Sequence, residues 1–376
     1  MKKIGLVLVL LLSLLPVPAF GAEESGESVE EALKTELKRL ETEEVDRAAA
    51  DLKPAVGFSE LLEDIFFGEF DFSFGGLKEG LTEAAFGEFR LQGRLLLQLV
   101  IVVLLSAILK QLSDSFQGKS VGEMGFYLCY MVLVVVILNA FRGISETVVE
   151  RIGGICEVFK AMIPAFLLLS ASTGNVAQGA LMGPAIMGGS AALTMAVSQV
   201  IVPAILLSIS LELADHISEK PILGKFAELL RQCIGWGMKG AAMAFMLLLS
   251  LQKVGGGALN SLATKTAKIA VGAVPVVGNV MGGAVETAAA VAGTLKSGTL
   301  VAAAVFLLLL CIPLVLKLLV IMLVFKLTAA AAEFICEERL VECISAAGEY
   351  TGLLLGAVFL GEGMFLFSAL LLLGGL

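Results

Sequence analysis

The run from Thr299 to Leu316 contains no charged residue. Wound into a helix at about 1.5 Å per residue, it reaches across most of a roughly 30 Å hydrocarbon layer. A helix apolar on every side has no face to offer water, so this stretch predicts a membrane-crossing helix. The residues leading into it, 267–298, are drawn almost wholly from Gly, Ala and Val, with Pro275 in the middle. Small side chains let helix backbones approach closely, and Gly278 and Gly282 have the small-xxx-small spacing of packed transmembrane interfaces. This Gly/Ala-rich segment is expected among other helices, with Val271 to Thr294 forming either a further span or a re-entrant hairpin.

The rest of the chain is consistent with that start. Of 376 residues, 58% are hydrophobic and only 16% charged, far from the balance of a soluble domain. The expected class is all-α, a polytopic transmembrane bundle of roughly six to eight spans occupying residues 94–376. The apolar runs fall at Leu95–Leu112, Gly125–Phe141, Ala161–Ser172, Ala185–Leu211, Ile234–Leu251, Thr299–Phe325 and Thr351–Leu373. The third is short for a crossing. The fourth is long, and reads as one tilted helix or two broken near Pro203. Lys and Arg divide between the alternating loops without a clear excess on either side, so the positive-inside rule does not orient the bundle.

Ahead of the bundle, Lys2 and Lys3 precede an apolar run from Ile4 to Leu15, and Pro16, Pro18, Ala19 and Gly21 follow. Residues 1–21 read as a cleaved signal peptide, the alternative being an uncleaved first anchor. Residues 22–93 form an acidic segment expected to be helical and extracytoplasmic. Glu30, Glu31, Lys34, Lys38, Arg39, Glu43, Glu44 and Arg47 alternate in sign as on a solvated helix. Further on, Phe66, Phe67, Phe70, Phe72, Phe74, Phe86 and Phe89 alternate with Glu and Gly. That pattern suits a membrane-interface segment, a partner-docking surface or a small local core.

Several function classes drop out. The net charge of -9 is concentrated near the N-terminus, and no basic patch offers a nucleic-acid surface. Six cysteines without a C-x-x-C pair, and one histidine, His216, do not make a metal cluster, so the cysteines read as apolar packing residues and His216 as a surface residue. There is no phosphate-binding loop and no nucleophile elbow; no catalytic residue, cofactor or metal is expected, and the chain reads as a non-enzyme.

The chemically distinctive residues are charges within the apolar segments, where a charge is expensive and marks function by default. Lys317 lies inside the sixth run, Glu286 in the Gly/Ala block, and Glu362 between Gly361 and Gly363 in the last run. One reading pairs Lys317 with Glu362 or Glu286 in a polar path. The other has Lys317 snorkelling toward the end marked by Lys326, and Glu362 neutral and hydrogen-bonded to backbone. The passages Met162–Pro184 and Ala273–Gly293 also share an order of features, a Pro-broken apolar segment followed by Gly-rich residues. Paired interruptions of this kind point to a transporter-like repeat.

The turn IPAFLLLSASTG, the block VGAVPVVGNVMGGAVETAAAVAGTLKSG and the closing FKLTAAAAEFICEERLVECISAAGEYTGLLLGAVFLGEGMF resemble the stage III sporulation protein AE family over nearly the whole chain. The resemblance implies a component of the mother-cell membrane facing the engulfed forespore. It implies, as partners besides the lipid bilayer, the other stage III A proteins, including an ATPase and ring-forming proteins, and indirectly the forespore stage II protein Q. The role implied is a channel base or export platform, and the family supplies no catalytic residue. Two other roles fit the residues alone: a stand-alone secondary transporter of a small solute, or a structural assembly anchor.

Overall fold

In a computed structural model, the chain is described over residues 42–67, 74–115, 119–172, 176–216, 223–247 and 278–374. The expected signal peptide and Pro275 lie outside the described residues. Ordered elements among the described residues are helices: α1 (Thr42–Ala49), α2 (Phe58–Phe67), α3 (Phe74–Leu91), α4 (Gly93–Ser115), α5 (Lys119–Ser172), α6 (Val176–Ala196), α7 (Val202–Asp215), α8 (residues 224–247), α9 (Gly278–Ala332) and α10 (Glu338–Gly374). Among them are five segments long and apolar enough to cross a membrane: Gly93–Gln111, Tyr127–Ala171, Gly183–Asp215, Gly293–Ala332 and Glu338–Leu372.

The centre of the bundle is the antiparallel hairpin of α9 and α10. Its contact is made by a glycine stripe on α10: Gly348 faces Phe325 and Lys326, Gly352 faces Met322, and one turn on Gly356 faces Met238 of α8. At Gly348 the missing β-carbon lets Lys326 lie against the α10 backbone, 3.1 Å from where that carbon would stand, while the Met side chains at Gly352 and Gly356 lie at ordinary contact distance. Helix α5 lies along both arms, stacking Phe141 on Phe325 at 6.1 Å and Phe159 on Phe365 at 5.3 Å.

The runs 125–141 and 161–172, expected as two spans, are one unbroken helix of 54 residues, about 80 Å long. The charged stretch between them stays helical because it is amphipathic. Arg142 and Glu146 form an exposed ion pair on one face. Phe141, Ile144, Val148, Ile152 and Ile155 are buried on the other, at three- and four-residue spacing. The fourth run is likewise one path: a single π turn, Val197–Ile201, joins α6 to α7 just ahead of Pro203. Pro203 has no amide to give the carbonyl four residues before it, and the wider turn takes up that break without stopping the helix.

Residues 278–294 are the straight beginning of α9, which runs for 55 residues, so this part of the Gly/Ala block is neither a re-entrant hairpin nor a separate span. Helix α8, expected as a span from Ile234, includes Lys225, Glu228, Arg231 and Lys239 and is not among the five.

The N-terminal helices fold back on the bundle. The Asp46 carboxylate of α1 accepts the amides of Phe58 and Ser59, capping the start of α2 from outside its own sequence. Leu52 packs so closely on α5 that a β-carbon at Gly154 would lie 2.8 Å from it, and Arg151 Nη1 donates to the Leu52 carbonyl at 2.9 Å. Phe58 meets Phe306 at 5.4 Å, and Phe66 lies over Gly298, where only glycine leaves room for its ring. This part of the Phe-rich segment is therefore a local core shared with α9, while Phe86 remains exposed.

Candidate functional site on the last helix

Among the buried polar residues of α10, Tyr350 and Glu362 stand about 18 Å apart along its axis. The nearer to its start is Tyr350, fully buried, which the sequence did not single out. Its hydroxyl donates to Glu212 Oε2 at 2.6 Å and lies 2.8 Å from Ser208 Oγ, which in turn donates to the Ala227 carbonyl. Over its ring stands the Arg231 guanidinium, 5.7 Å from the centroid, and Arg231 also forms an ion pair with Glu349. One turn away, His216 Nδ1 lies 2.7 Å from the Glu212 carbonyl and Nε2 3.2 Å from Glu342, so this histidine is tied between α7 and α10 and is not a free surface residue.

The same region holds Tyr130, also fully buried, whose hydroxyl donates to the Leu213 carbonyl at 2.6 Å and is hydrogen-bonded with Cys343. Asp215 Oδ1 accepts the Leu223 amide just ahead of α8. Four helices thus meet through hydrogen bonds with few loose ends. Such a network fixes register, because sliding any helix by one residue would strand several buried donors and acceptors at once.

Glu362 is the opposite case. It is 2% exposed, and neither carboxylate oxygen has a hydrogen-bond partner among the described residues. The hairpin register, with Gly348 opposite Phe325 and Gly352 opposite Met322, brings Cys311 of α9 to its level. From α5, Ile152 lies against Gly361, 3.7 Å from where a β-carbon would stand, and Phe159 stacks on Phe365. At Gly363 a β-carbon would meet nothing within 4 Å. The residues flanking Glu362 at this level are thus a thiol, an aliphatic group and aromatic rings.

The residues expected to form a polar path are kept apart. Lys317 lies six residues beyond Cys311 on α9, about 9 Å from the level of Glu362, and its Nζ donates to Thr147 Oγ1 of α5 at 3.3 Å. Glu286, with Gly278 and Gly282, stands in the first turns of α9, about 37 Å before Cys311. Of the cysteines, Cys129, Cys156, Cys311 and Cys343 are buried as expected of packing residues, whereas Cys233 is exposed. Cys336, in the turn between α9 and α10, donates to the Val103 carbonyl, and burial pushes its thiol up from the usual range. Among the described residues no group of three His, Cys, Asp or Glu side chains could hold a metal. The chemistry available on α10 is therefore that of hydrogen bonds and of a single enclosed carboxyl.

No solved structure matches this chain. Among curated proteins it is 23% identical over 354 residues to stage III sporulation protein AE of Bacillus subtilis (strain 168), covering 92% of this chain and 88% of that protein. The sequence model of the family described as stage III sporulation protein AE matches residues 56–375, from just ahead of α2 to the end of α10. The match takes in both buried polar positions and the glycine stripe between the two long arms, and the chain belongs to the stage III sporulation protein AE family.

Proposed function

We propose that this chain is the multi-span membrane subunit of the sporulation stage III A complex, in the mother-cell membrane around the forespore. It serves there as a channel base or export platform needed for forespore development, and not as an enzyme. Family membership over residues 56–375 is the observation that carries this reading. The architecture supports it: helices of 54 and 55 residues are more than twice as long as a bilayer's hydrocarbon layer, so they offer rigid ends on which other subunits can seat. The sequence has no phosphate-binding loop, so work done through this subunit draws on an ATPase partner. Ring-forming stage III A proteins and, indirectly, the forespore stage II protein Q complete the assembly.

Affinity purification of the tagged protein from sporulating cells tests the proposal. The expected result is co-purification with the ATPase and the ring-forming proteins. Recovery of the protein alone, together with solute uptake when it is reconstituted by itself into liposomes, would overturn the proposal in favour of a stand-alone transporter.

A further inference from the structure

A carboxylate sealed from water needs a cation, a set of hydrogen-bond donors or a proton. At Glu362 the first two are missing among the described residues. Lys317 is held on Thr147, and neither carboxylate oxygen receives a donor. Of the titratable groups at this level, α9 contributes the Cys311 thiol, which is not a cation. On α5, Arg151 is bonded to the Leu52 carbonyl and Glu157 to Lys160, while Cys156 is buried as a thiol. Helix α6, the π turn and the first turns of α7 have no ionisable residue between Val176 and Leu211. A metal ion would require several oxygen ligands, and the neighbours Ile152, Cys311 and Phe365 supply none.

We propose that Glu362 is a proton-binding site: it holds a proton as the neutral acid while α5, α9 and α10 are closed around it, and releases that proton when they part. On opening, the O–H bond breaks, the proton passes to entering water and the carboxylate becomes solvated. By linkage, whatever separates these helices drives proton release, and loss of the proton favours the separated arrangement. The proposal does not depend on the identity of the complex, because its first test uses the isolated protein.

That test is infrared spectroscopy of the full chain in lipid nanodiscs at pH 7, comparing wild type with Glu362→Gln. The expected difference spectrum has the carbonyl band of one protonated carboxylic acid, shifted in D2O. A difference spectrum with carboxylate bands only overturns the proposal. Should the Gln variant fail to fold, wild type with isotope-labelled glutamate gives the same answer: a protonated-acid band at pH 7 supports the site, and its absence overturns it. In sporulating cells, folded Glu362→Gln, a permanently neutral mimic, is expected to lower spore yield at least tenfold. Glu362→Asp, which still titrates, should retain most of it. Wild-type yield from the Gln variant, or equal loss from both folded variants, would refute proton release. If the partners fail to co-purify while the infrared band is present, only the complex assignment falls.

Discussion

Tyr350 and Glu362 stand on one helix and are both buried, yet they are treated in opposite ways. Tyr350 is surrounded by Glu212, Ser208 and Arg231, contributed by two other helices, whereas Glu362 has no bonded neighbour among the described residues. A membrane bundle gains little from burying apolar surface against other apolar surface, so it relies on packing and on bonds between helices to choose one arrangement. The Tyr350 end does that work. A polar group left unbonded in the same bundle weakens it, so the Glu362 end does nothing of the kind for stability.

Substitutions can break that contrast. The largest effect is expected from Tyr350→Ala, which opens a ring-sized cavity and takes the hydroxyl donor from Glu212. Thermal unfolding in detergent should show a loss of about 3–5 kcal/mol. Tyr350→Phe keeps the ring and removes only the hydroxyl, and should cost about 1–3 kcal/mol. Gly154→Val forces a side chain into Leu52. It should cost a similar ~1–3 kcal/mol and release the N-terminal helices, seen as faster limited proteolysis ahead of residue 93. Arg231→Gln removes a half-exposed ion pair and a cation over a ring, with an expected loss of about 0.5–1 kcal/mol. The smallest change belongs to Glu362→Leu: replacing a buried unbonded acid by a similar apolar volume should leave stability within ~1 kcal/mol of wild type, or raise it. A loss as large as that of Tyr350→Ala would remove the distinction between the two positions.

Much of the fold could be read from the residues, and the reasons are local. The all-helical class and the spans at α4, α9 and α10 follow from long apolar runs with at most one charge each. Glu362 was visible as a carboxyl between two glycines in an apolar run. The continuity of α5 was not visible in hydropathy, because Arg142 to Lys160 lowers the average. The signal that finds it is the spacing of Phe141, Ile144, Val148, Ile152 and Ile155 through the charged stretch. The stripe Gly348, Gly352, Gly356 was equally available at four-residue spacing, in a segment less glycine-dense than the block that drew attention. The Tyr350 network had no such signal: its members are separated by 138 and 142 residues in sequence, and only the folded bundle brings them together.

The two longest helices also set a mechanical scale. A stiff rod of about 80 Å that rocks by five degrees moves its far tip by roughly 7 Å, more than one helical turn. Helices α5 and α9 have that length, each with one internal proline, Pro164 and Pro313, and lie side by side where Phe141 meets Phe325. A tilt of either helix about that contact would move both of its ends together, on a scale of ångströms.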